Sequence, residues 1–249
     1  MNVRPNKVKQ KLAAGETVYV VGGLDSPDLI DQCGPLGFDG VWLEGEHGPV
    51  DFADIADLTR ACDLWGKTSI MRVNQNEQSV IYRTLDRGVQ GIVVPHVNTR
   101  EGAENVVAGG KFAPVGCRGM FGSRQSYGVP DYLQVANDHT FLMVLIEDIA
   151  AVENLDEILG VDHIDVFFVA PSDLAASMGH IGNVGHPDVQ RTIDETLARI
   201  QARGRTSGTL TYNGNVARYA AAGVRFLFTS VMPWIATGAT EFINRAQQQ

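Results

Sequence analysis

Short β-branched and aromatic runs recur along the chain, at Val18–Gly23, Gly40–Leu43, Thr68–Val73, Gly91–Val97, Phe141–Ile146, Ile164–Val169, Thr206–Leu210 and Arg225–Val231. Several are apolar at nearly every position instead of at every second one, which suits parallel strands covered on both faces. Helix-like stretches lie between them: Asp51–Leu64, Ser79–Arg87, Thr99–Ala108, Ala151–Leu159 and Pro187–Ala202. Eight strands alternating with helices, without a linker or a break in composition, predict an α/β protein, a (β/α)₈ barrel forming one domain over residues 1–249. An open doubly wound sheet is the alternative, but the turn after the first strand, Gly22-Gly23-Leu24-Asp25, lacks a dinucleotide fingerprint. The segment Gly109–His139 breaks the pattern, with at most a short helix near Asp131–Asn137. A loop of that length in a compact domain is functional or packed at a subunit contact.

Composition narrows the partners. The net charge of −9 over 249 residues argues against a nucleic-acid groove or an anionic membrane surface. Cys33, Cys62 and Cys117 are odd in number and far apart, so they read as reduced thiols instead of a disulfide framework or zinc cluster. The N-terminal MNVRPNKVKQKLAAGE is polar throughout and offers no signal-peptide core. No apolar run approaches the roughly 20 residues of a membrane span. The expectation is a cytoplasmic protein with small-molecule partners.

In such a barrel the chemistry sits at the C-terminal ends of the strands. There the chain places Glu44-Gly45-Glu46-His47, Arg72-Val73-Asn74, Pro95-His96, Glu147-Asp148 and Ala170-Pro171-Ser172-Asp173. Glu147 and Asp173 are the metal candidates, because two carboxylates without a nearby Cys or His pair suit a hard ion such as Mg²⁺ or Mn²⁺. Helix capping by Ser172, Asp173 or Asp148 is the competing explanation, but it leaves Glu147 behind Leu145-Ile146 unexplained. Arg72 offers a planar fork for a carboxylate or enolate oxygen; a salt bridge to Glu44 or Glu46 is compatible with that role. His47, flanked by acids, suits a general base. His96, His139, His163, His180 and His186 read as ordinary packing or surface residues. None of the five lysines, Lys7, Lys9, Lys11, Lys67 and Lys111, ends a strand on this rim, which disfavours a Schiff-base mechanism. The glycine-rich Gly179–Gly185 reads as a flexible loop beside the site.

Together, "EHGPVDFADIADLTRA", "RVNQNEQSVIYRTLDRGVQGIVVPHVNTREGAENVV", "PVGCRG" and "VFFVAPSDLAASMGHIGNVGHPDV" resemble the HpcH/HpaI aldolase family over about residues 15–235. The resemblance implies a metal-dependent aldolase of the phosphoenolpyruvate/pyruvate superfamily, a homo-hexamer using Mg²⁺, Mn²⁺ or Co²⁺. It cleaves or forms a 4-hydroxy-2-oxo acid from a small oxoacid and an aldehyde. It further implies that Glu147 and Asp173 hold the metal, Arg72 steadies the pyruvate enolate, and His47 belongs to the base machinery beside Glu44. Asp86 would join a site across a subunit interface, and the backbone of Ala170, Pro171, Ser172 and Asp173 would receive the carboxylate. The family commonly has aspartate where this chain has Glu44, and glutamine where it has Leu145. Two other outcomes stay open: a related carbon–carbon lyase or oxaloacetate-type decarboxylase, and a homologue that binds metal and oxoacid without turnover.

Overall fold

The computed structural model describes residues 2–248. The strands are β1 (Val18–Gly22), β2 (Gly40–Glu44), β3 (Thr68–Arg72), β4 (Gly91–Val94), β5 (Phe141–Ile146), β6 (Val166–Val169), β7 (Ser207–Leu210) and β8 (Phe226–Ser230). They pair in sequence order and close into a parallel barrel through β1 and β8. The helices in the first half are α1 (Lys7–Ala13), α2 (Pro27–Cys33), α3 (Ile55–Leu64), α4 (Gln78–Asp86), α5 (Arg100–Gly110) and α6 (Tyr132–His139). The second half adds α7 (Ile149–Glu153), α8 (Leu155–Leu159), α9 (Pro171–Ser177), α10 (Pro187–Ala202), α11 (Val216–Ala221) and α12 (Met232–Gln247).

Strand residues sort by parity, because successive side chains point to opposite faces. On β5, Leu142, Val144 and Ile146 face the helices, whereas Phe141, Met143 and Leu145 fill the barrel with Val18, Val20, Ile70, Val93 and Phe226. That explains the continuous apolar runs: both faces are buried.

Several boundaries move for identifiable reasons. The fourth strand, expected through Val97, stops at Val94 because His96 adopts a left-handed φ of 51° and turns the chain. The helix expected from Asp51 begins at Ile55, since the Asp51 and Asp54 carboxylates cap a turn on Phe52 N and Asp51 N. The stretch Ala151–Leu159 divides into α7 and α8 at Asn154, whose amide donates to Asn98 O at 2.9 Å.

The polar N-terminus packs onto the barrel. It forms α1, whose Val8 and Leu12 pack against the barrel interior, while Lys7 and Lys11 pair with Asp39. Lys111, in the irregular segment, is only 1% exposed and donates to the carbonyls of Asn137 (2.5 Å) and Thr140 (2.7 Å). Burial, with Lys9 nearby, pushes its ammonium down to about 7. The three cysteines are free thiols. Among the described residues no helix is long and apolar enough to cross a membrane.

Candidate active site

The inward parity of the strands continues past their apolar stretches and delivers the polar groups. Gly40, Trp42 and Glu44 share one face of β2, and the register sets Glu44 directly beside Arg72 of β3. On β5 the inward series Phe141, Met143, Leu145 runs on to Glu147.

Arg72 is clamped by two acids. Its Nε and Nη2 lie 2.8 Å from Glu44 Oε2, and its Nη1 lies 2.7 Å from Glu46 Oε2. Glu44 accepts further from the backbone N–H groups of Glu46 (2.9 Å) and His47 (3.0 Å) and from Trp42 Nε1 (3.1 Å). Burial pushes the Glu44 carboxyl up, but Arg72 and these two backbone donors outweigh it and hold the group below its ordinary range. One side chain thus fixes both the guanidinium and the loop that follows the strand. Gly45 is needed at the bend: its N–H donates to Arg72 O at 3.0 Å, and a Cβ there would sit 2.7 Å from that same oxygen.

Glu147 is the costly group. Its side chain is 1% exposed, and its Oε1 accepts from His96 N at 2.7 Å. Burial pushes its carboxyl up to about 7 against the pull of that bond, and Asp173 and Glu46 add repulsion. His96, placed on the rim by the sequence, was expected to be an ordinary packing or surface histidine; the structure sets its ring among carboxylates instead. Its Nδ1 lies 2.9 Å from Asp148 Oδ2, and its Nε2 is 3.8 Å from Glu46 Oε1. The hydrogen bond to Asp148 raises its pKa, with burial opposing and the neighbouring carboxylates adding.

The capping explanation fares poorly. Asp148 stands at the N-cap of α7 but makes no side-chain cap bond; its oxygen serves His96 and Asn98. The N-cap of α9 is Ala170 with Pro171 following, so Asp173 falls within the first turn.

A cavity of about 180 Å³ opens between these groups, with Glu44, Arg72, Ser172 and Asp173 on its polar side. Ala170 and Pro171 also line it. Apolar rings and chains of Trp42, Leu145, Phe168, Leu210 and Phe228 form the remainder. Glu147 and Asp173 offer the hard oxygen donors that suit a divalent cation, and a buried carboxylate with a raised pKa is a group that such an ion would stabilise.

Two expected residues stand apart from this cluster. His47 points outward, its side chain 70% exposed and its Nε2 3.9 Å from Glu46 Oε2. Asp86 ends α4, which runs away from the β3 rim toward the start of β4, and it is held by the buried Arg118 at 2.7 Å. Within one chain, therefore, Asp86 does not reach the site.

A second group of potential ligands, His180, His186 and Asp188, clusters beyond α9. The two rings stack at 3.7 Å, and Asp188 is engaged by Arg191 at 2.6 Å. His186 Nδ1 accepts from Asp188 N, so the group closes the start of α10.

A parallel barrel whose rim gathers acids, an arginine and a small cavity has the layout of an enzyme active site. The sequence model of the HpcH/HpaI aldolase/citrate lyase family matches residues 18–227, and the chain belongs to that family. A 5-keto-4-deoxy-D-glucarate aldolase of Salmonella arizonae is 38% identical over 228 residues, covering 90% of this chain and 89% of that protein. A solved HpcH/HpaI aldolase/citrate lyase family protein of Burkholderia cenocepacia superposes with a TM-score of 0.91 at 29% identity, over 97% of this chain and 99% of that one. The HpcH/HpaI aldolase of Desulfitobacterium hafniense gives 0.89 at 26% identity, over 97% and 96%. The chain is accordingly an aldolase, making or breaking a carbon–carbon bond.

Proposed function

We propose that the barrel, as a single domain over residues 1–249, joins or cleaves pyruvate and an aldehyde, the product being a 4-hydroxy-2-oxo acid. The observation that carries this reading is the buried Glu147 beside Asp173, next to a cavity whose guanidinium is already oriented by two acids. Glu147 and Asp173 would hold Mg²⁺, Mn²⁺ or Co²⁺, and the ion would supply Lewis-acid polarisation of the 2-oxo group. Arg72 has N–H groups left over after Glu44 and Glu46 are served, and these hold and orient the oxoacid. The backbone at Ala170, Pro171, Ser172 and Asp173 receives the carboxylate. His47 would move the proton to and from the pyruvate methyl carbon by turning its exposed ring inward past Glu46, while Glu44 keeps the His47 backbone in place.

Asp86 enters this reading only through a second copy of the chain, so the reading requires a homo-oligomer, with a hexamer as the expected form. Two unpaired apolar surfaces agree with it. Helix α12 has no buried residue although it carries Ile235, Phe242 and Ile243, and the irregular segment exposes Met120 and Phe121. Light scattering checks the state directly. A cytoplasmic location fits the free thiols.

The test is exchange of the pyruvate methyl protons in D₂O, followed by NMR, with added Mg²⁺ or Mn²⁺ and after EDTA treatment. Metal-dependent exchange is expected whatever the aldehyde. Full activity without metal would overturn the metal assignment, and absence of exchange with metal bound would favour a binding protein without turnover.

A further inference from the structure

The cavity is uneven in character, and its uneven side bears on which aldehyde enters. Arg72 is the single cation among the described residues that line it, and three of its five N–H groups already face Glu44 and Glu46. The two that remain suffice for one oxoacid. Beside them, the Trp42 ring lies 6.0 Å from the Arg72 guanidinium and stacks on Phe228 with ring centroids 4.4 Å apart, and Phe168 packs against both at 5.6 Å and 6.3 Å. Leu145 and Leu210 complete this wall. The wall is fixed by the backbone behind it: a Cβ on Gly22 would meet the Phe228 ring at 2.9 Å, so the ring occupies space that only glycine leaves. The indole N–H of Trp42, the one polar atom of these rings, is already engaged by Glu44 Oε2.

A substrate carboxylate or hydroxyl set against this wall would lose its water without gaining a partner. An unpaired buried hydroxyl costs about 1–3 kcal/mol, and an unpaired charge costs more. The sugar diacid in the name of the Salmonella relative carries both kinds of group. Resting on the aldolase reading above, we propose that this chain's acceptor is an uncharged, apolar aldehyde, aromatic or branched aliphatic, and that Leu145 and Phe228 determine that choice. In the bond-forming direction the pyruvate methyl carbon gives up a proton and its electron pair attacks the aldehyde carbon. The aldehyde oxygen then takes a proton, so pyruvate and aldehyde add without oxidation, reduction or a leaving group.

The experiment compares kcat/KM for benzaldehyde and 3-methylbutanal with that for glycolaldehyde and glyoxylate, using holoenzyme and pyruvate, beside the D₂O exchange measurement. The expected result is a preference for the apolar pair of about 100-fold or more. Leu145→Gln and Phe228→Leu are expected to narrow that ratio by about tenfold, while Leu145→Met preserves it. Undiminished exchange together with a preference for glyoxylate or glycolaldehyde would overturn the proposal and leave the aldolase reading intact. Loss of exchange itself would count against the aldolase reading instead. An unchanged ratio in both Leu145→Gln and Phe228→Leu would overturn the assignment of these residues.

Discussion

Glu44→Gln is the most direct probe of the arrangement at the rim. The carboxylate receives five donors: Arg72 Nε and Nη2, Trp42 Nε1, and the backbone N–H groups of Glu46 and His47. An amide of the same shape turns one acceptor oxygen into an NH₂ group, so at least two of the donors come to face another donor. Each buried group left this way costs about 1–3 kcal/mol. Arg72 keeps its bond to Glu46 at 2.7 Å and part of the carboxylate already meets water, which brings the total to roughly 2–4 kcal/mol. Urea unfolding of the chelated protein measures that loss without reference to any reaction. Hydrogen exchange localises it: the Glu46 and His47 amides should exchange about 30-fold faster for a local loss of about 2 kcal/mol. Turnover should fall as well, because Arg72 loses its orientation. A variant within about 0.5 kcal/mol of the parent, with both amides still protected, would show that Glu44 does not organise the loop.

Other perturbations have equally definite outcomes. Gly45→Ala forces a methyl group against the Arg72 carbonyl and the end of Met71, and should cost about 1–3 kcal/mol in urea unfolding and weaken oxoacid binding; parent-like behaviour in both would refute the close approach. Lys111 is held near 7 in the folded protein against an ordinary value of 10.5, so between those values the unfolded chain binds more protons and stability rises with pH. The rise is at most about 1.4 kcal/mol per pH unit and should be missing in Lys111→Met, so equal pH slopes for the two proteins would contradict it.

Much of this was written in the order of the residues. The apolar runs gave eight parallel strands, because a strand covered on both faces must be apolar at every position. Their parity then carried Glu44, Arg72 and Glu147 inward at the strand ends, so that a polar residue following such a run could be placed on the rim. Other features had no local signal. His96 joins the carboxylates because its backbone turns left-handed at that one residue, which hydrophobic periodicity does not encode. Lys111 and the polar N-terminal helix are buried by contacts with residues far along the chain, at Thr140 and at the barrel floor. The resemblance gives Asp86 a place in a site across a subunit interface; within one chain it lies with Arg118, since a helix carries its last residues away from the rim where it started. The alternation of side chains along a strand is fixed by local stereochemistry, so the sequence alone determines it. Which charges meet depends on how strands and loops from distant positions come together, and only the closed barrel decides that.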